Sequence, residues 1–158
     1  MVAENRKMNG CVYLVKYFLP VVILLIFIFW MSGEYFTCGR TATFFVPIIT
    51  FLFPSLSLPG IGFVNELIRA SAHVLEFFLL GLLLSFAVFR IPLSLSRFKK
   101  IVLIMALLFA FALGDEFRQS MVALREASVV DVGLDMAGGL VGLLVAGIWA
   151  EQLLVAGG

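Results

Sequence analysis

Between Phe18 and Met31 the chain carries no charged side chain, and three further apolar runs follow at about Leu67–Phe89, Lys99–Arg118 and Val129–Ala150. Runs of about 20 residues, rising about 1.5 Å each, match a hydrocarbon core about 30 Å thick. In lipid every backbone N–H and C=O must find a partner within the protein, which makes a helix the solution for such segments. The composition agrees: 63% of residues are hydrophobic, 13% are charged and the mean hydropathy is +1.14. Soluble domains average about 45–50% apolar and about 25% charged. The expected fold is therefore all-α, one membrane domain over residues 1–158 built as a bundle of four transmembrane helices.

The first span is expected from about Val12 to Met31. Arg6 and Lys7 precede it as in a signal peptide, but the apolar run is too long for an h-region and Met31-Ser32-Gly33 is a poor cleavage site, so it reads as a retained anchor. Residues 33–66 behave differently. Phe44–Phe53 is apolar but too short to span, and Pro47, Pro54 and Pro59 interrupt it, which predicts an interfacial or re-entrant segment between the first and second spans. Ser128 and Asp131 form an S-x-x-D capping signal before the last run. Cys11 and Cys38 flank the first span on opposite sides, too far apart for a disulfide.

Orientation follows from Lys and Arg in the short connections. Arg6 and Lys7 precede the first span, while Arg90, Arg97, Lys99 and Lys100 join the second and third. The other side holds Arg40, Arg69, Arg118 and Arg125. The balance places both termini in the cytoplasm of a multi-pass protein. The net charge of +1 gives no sign of a nucleic-acid partner.

With that orientation the unusual polar residues gather towards the extracytoplasmic ends of their helices. Each ionised group at bilayer depth costs roughly 2.5–3.5 kcal/mol on insertion scales, so such groups are expected to face one another, not lipid. Arg69, His73 and Glu76 share one helical face at i, i+4 and i+7, and His73 is the sole histidine. Asp115 and Gln119 share another face at i, i+4, with Glu116 about 100° away. Two acids at a helix C-terminus oppose the macrodipole and need outside stabilisation. Asp131 and Asp135 are again i, i+4; capping accounts for Asp131 but not for Asp135, the stronger site candidate of the two. Arg125, in the connection between the third and fourth spans, is suited to a phosphate or carboxylate, or to neutralising nearby acids. The structural alternative for the whole set is interhelical hydrogen bonding that fastens the bundle. Gly138, Gly142 and Ala146 form a small-residue stripe for close helix packing. The chain lacks H-E-x-x-H, C-x-x-C and G-x-S-x-G, and no ligand spacing demands a metal, so neither metal nor other cofactor is assigned.

Three strings together resemble the VanZ-like family. R-A-S-A-H-V-L-E-F-F-L-L-G (Arg69–Gly81) is similar to its R-x-x-x-H-x-x-E-Y pattern. D-E-F-R-Q (Asp115–Gln119) is similar to D-E-x-H-Q, and Arg125 with the segment Ser128–Gly142 is similar to an Arg followed by D-x-x-x-D-x-x-G. Trp30-Met31-Ser32 resembles the Ser-containing end of the family's first helix. Phe77 stands where the family has Tyr, and Arg118 where it has His, which removes a phenol and a second imidazole from any mechanism. The resemblance implies a small protein of the bacterial inner membrane. Through the member that gives the family its name, it also implies a link between the cell envelope and resistance to the glycopeptide teicoplanin.

Two functional classes follow. One is a binding role, with Arg69, His73, Glu76, Asp115, Glu116, Gln119, Arg125, Asp131 and Asp135 around an outward-facing polar pocket. Its partners would be membrane lipids, a lipid-linked cell-wall precursor or a glycopeptide. The other is an intramembrane enzyme acting on a phosphate or ester, with His73 as general acid or base and Glu76 or Asp135 orienting it. A proton path is disfavoured because the polar residues stay at one end instead of crossing the bilayer.

Overall fold

In a computed structural model, residues 10–33, 38–90, 94–122 and 128–156 are described. They form five helices: α1 (Gly10–Met31), α2 (Cys38–Leu52), α3 (Leu58–Arg90), α4 (Arg97–Ser120) and α5 (Val129–Ala156). Among the described residues there is no strand, so the fold is all-α as expected.

The helices extend the expected apolar runs, and α3 departs most from them. It starts at Leu58, not near Leu67, and its 33 residues would reach about 50 Å, beyond the thickness of a hydrocarbon core. Pro59, expected to break the chain, instead sits in the first turn of α3. Helical N–H groups there have no i−4 acceptor, so a proline costs nothing. Ser57 caps this turn: its carbonyl accepts from the Ile61 N–H at 3.0 Å and its hydroxyl from the Gly60 N–H at 3.4 Å. Pro47 lies inside α2, and one turn later the Thr50 hydroxyl bonds back to the carbonyls of Val46 and Pro47 at 2.9 and 3.0 Å. Pro54 falls in the turn between the two helices.

Among the described residues, two helices are long and apolar enough to cross a membrane, α3 and the Val129–Trp149 part of α5. The apolar stretch of α1, Val15–Met31, is shorter. In α4, Lys99 and Lys100 at one end and Asp115, Glu116 and Arg118 at the other confine the uncharged stretch to 101–114.

The α3–α5 pair is the centre of the packing, and glycine explains how close it comes. A Cβ on Gly138 would stand 2.2 Å from the Val74 carbonyl oxygen, and one on Gly142 would stand 2.1 Å from that of Phe78. From the other side, a Cβ on Gly81 would lie 2.2 Å from the Gly139 carbonyl oxygen. Backbone meets backbone, as small-residue stripes allow between membrane helices. Around this pair, Phe77, Leu80, Leu84, Ile104, Leu108 and Leu143 form a dry core with Val21 and Ile28 of α1. The end of the bundle holding Arg90 and Lys100 is tied by Arg90 to the Tyr17 hydroxyl at 2.8 Å and Lys100 to the Phe89 carbonyl at 3.3 Å. The opposite end gathers the polar residues.

Candidate functional site

Four helix segments converge on the site. They are the end of α1, the first half of α3, the end of α4 and the beginning of α5. His73, Asp115, Glu116, Gln119, Asp131 and Asp135 are all buried there, with Asp135 completely so. The α3–α5 glycine contacts bring the two helices so near that Asp135, one turn before Gly138–Gly139, meets α3 directly. His73 Nδ1 and Asp135 Oδ1 lie 2.9 Å apart, while His73 Nε2 is 4.0 Å from Asp131 Oδ2. A buried carboxylate at one ring nitrogen fixes which tautomer a neutral imidazole adopts and leaves the other nitrogen as its acceptor.

Arg69, one turn before His73, donates to Asp131 Oδ2 at 2.7 Å and to Glu66 Oε2 at 3.1 Å. Its side chain is 33% exposed, so the guanidinium bridges the buried acids and the surface. Asp131 therefore does more than cap. Ser128 does serve as N-cap, its hydroxyl accepting from the Asp131 N–H at 3.3 Å. The reciprocal arm, however, comes from elsewhere: the Ser128 N–H donates to Glu116 Oε2 of α4 at 2.6 Å. This frees Asp131 for Arg69. It also explains how acids at the end of α4 are tolerated, because Glu116 rests on the positive N-terminus of α5.

Asp115 is held from two sides. Gln119 Nε2 donates to its Oδ2 at 2.5 Å and the Ser32 hydroxyl donates to its Oδ1. Ser32 is also 2.8 Å from the Ile28 carbonyl, and its single proton serves one acceptor at a time. Ser32 is not among the expected site residues; its signals are its place at the end of the first apolar run and the likeness of Trp30-Met31-Ser32 to the Ser-containing end of the family's first helix. Glu76, a turn beyond His73, is half-buried. Arg125 lies outside the described residues. Arg118, which stands where the family has His, is exposed, with its guanidinium beside Gly33. Ser71, the hydroxyl nearest His73 in sequence, donates to the Leu67 carbonyl at 2.8 Å on an exposed face. Phe77, in place of the family's Tyr, is wholly buried in the core.

Three acceptor oxygens in this cluster are buried without a hydrogen-bond partner: Glu116 Oε1, Gln119 Oε1 and Asp135 Oδ2. A ring nitrogen of His73 and one carboxylate oxygen each from Asp115 and Glu116 lie within 4.8 Å of one another. A family model described as VanZ/LLP1 matches residues 17–150, which takes in α3, α4 and every described site residue. The chain belongs to the VanZ/LLP1 family. Membership and the apolar helices together make it a membrane protein. No curated protein and no solved structure matches the chain. The residues matched by the VanZ/LLP1 model include the Ser32 end of α1 as well as the motifs of α3–α5.

Proposed function

We propose that this chain is a multi-pass protein of the bacterial cytoplasmic membrane, spanning it four times through α1, α3, α4 and α5, with α2 at the interface and both termini cytoplasmic. Its Arg–His–carboxylate cluster lies near the outer surface and takes the polar head of a lipid or lipid-linked envelope ligand. The link to teicoplanin resistance enters through the family alone. The observation that carries the reading is the meeting of polar side chains from four helices at one end of an otherwise apolar bundle. Beside them runs a groove of about 410 Å³ between α3 and α5, lined by Leu67, Val74, Phe78, Leu134 and Val141 among others. Arg69, a third exposed, neighbours the groove-lining Ala70 in sequence, an arrangement that suits an amphiphile with its head on the cation and its chain along the helices.

The test is the thermal stability of the detergent-purified protein with polar lipids, undecaprenyl-linked precursors and teicoplanin, alongside His73→Gln and Asp135→Asn. A ligand that raises the melting temperature of the wild type, but not of folded variants, supports the reading and names the ligand class. If no compound stabilises the wild type and both variants melt early, the cluster only fastens the bundle.

The Asp135–His73 contact of 2.9 Å favours a second reading, an intramembrane enzyme acting on a phosphate or ester. Asp135 would orient the ring and His73 Nε2 would act as general acid or base. Hydrolysis of a lipid-linked phosphate that is lost in a well-folded His73→Gln variant would select this reading. A rate equal in wild type and variant would discard it.

A further inference from the structure

We infer that His73, Asp115 and Glu116 form a binding site for one divalent transition-metal ion, with Mn²⁺ or Zn²⁺ as the fitting chemistry. The inference stands on the cluster itself and does not depend on a lipid ligand.

Charge is the first argument. Asp115, Glu116, Asp131 and Asp135 are all buried at one end of the bundle. Among the described residues they meet one guanidinium, Arg69, and one imidazole, His73. Arg69 bonds only Asp131 of these acids. Buried carboxylates without compensating charge are costly, and a dication in their midst is the direct remedy.

The unpartnered oxygens are the second and independent argument. Glu116 belongs to the trio, Gln119 is bonded to Asp115 and Asp135 is bonded to His73; each is at most 4% exposed, and each keeps one oxygen without a donor. All three orphans are acceptors, so what is missing is electropositive. Glu116 Oε2 is committed to the Ser128 N–H, which leaves Oε1 as the ligand atom. Asp115 oxygens accept one bond each and retain a lone pair for a metal.

The imidazole supplies the third. With Nδ1 against Asp135, His73 offers Nε2, and a carboxylate on the far nitrogen is the usual support behind a metal-bound histidine. One nitrogen and two carboxylate oxygens leave room for water or substrate, as in open metal centres with three protein ligands. In an open centre with three protein ligands, bonds of about 2.0–2.2 Å set the ligand atoms roughly 3.4 Å apart, so the trio, whose ligand atoms lie within 4.8 Å of one another, closes on the ion by side-chain adjustment. The nitrogen argues against Mg²⁺ or Ca²⁺, which favour all-oxygen sets.

The full-length protein, purified in detergent, stripped with chelator and dialysed, is titrated with Mn²⁺ and read by metal analysis and electron paramagnetic resonance. We expect one Mn²⁺ per chain, displaced by Zn²⁺ and not by Mg²⁺, with nitrogen coupling from the histidine. The near-isosteric Glu116→Gln should weaken binding at least tenfold. Failure of the well-folded wild type to retain Mn²⁺ or Zn²⁺ would overturn the site and leave protonated carboxyls to satisfy the orphan oxygens. So would binding without nitrogen coupling, or an affinity unchanged in Glu116→Gln. Because no lipid is added, the metal site and the headgroup reading stand or fall separately.

Discussion

Arg69 touches two acids in different surroundings, and the difference sets what each contact is worth. Glu66 is 53% exposed and Asp131 only 3%. Exposed pairs contribute about 0–1 kcal/mol, whereas removing one partner of a fully buried pair costs about 3–5 kcal/mol. Glu66→Gln should therefore leave the melting temperature in detergent nearly unchanged. Arg69→Met should lower it by several degrees, corresponding to about 1–3 kcal/mol because the guanidinium is itself partly exposed. The double variant Arg69→Met/Asp131→Leu should recover part of that loss, since no charge is then left alone; equal melting of single and double variants would show that the pair is not what matters. Ser32→Ala offers a milder probe. It removes one donor to Asp115, and a bond to a charged acceptor is worth about 1.5–3 kcal/mol, so a measurable drop is expected without loss of the fold.

At the scale of the element, contact between α3 and α5 depends on positions that admit no side chain beyond hydrogen. Gly142→Ala places a methyl 2.1 Å from a backbone oxygen of α3, so the helices must part, and the detergent-solubilised protein should melt markedly earlier or fail to accumulate. Gly133→Ala, on the same helix with nothing within 4 Å of the added carbon, should be neutral or stabilising, because Ala favours a helix over Gly by about 0.8–1.0 kcal/mol. Equal outcomes for the two would remove the case for close packing. The stripe Gly138–Gly142–Ala146 was readable from spacing alone, as were the helical runs and the grouping of Arg69 with His73. Helix limits were less so. Pro59 looks like a breaker until its place in a first turn is known, and Pro47 is tolerated within α2. The pairing between helices was beyond sequence altogether: Ser128 and Glu116 meet through a backbone N–H, which no side-chain pattern encodes.

For the molecule as a whole, the proposed topology makes a directional prediction. The site end carries exposed Ser57 and Ser120, and the opposite end exposed Ser94. With Cys11 and Cys38 replaced by Ser, single cysteines at Ser57 and Ser120 should react with an impermeant maleimide added to intact cells whose outer barrier has been removed. A cysteine at Ser94 should react only after the membrane is opened. Labelling of all three from one side would discard the arrangement.

Arg69 and His73 find their acids 62 positions further along the chain, and that interval has a consequence for biogenesis. While α5 is still in the ribosome, α3 already stands in the membrane with a guanidinium and an imidazole that have met neither Asp131 nor Asp135. The nascent protein is thus marked as unfinished until α5 arrives. Chains released after α4 should be cleared by membrane proteases, and lifetime should rise only once the released chain carries both Asp135 and the Gly138–Gly142 contacts that seat α5 on α3.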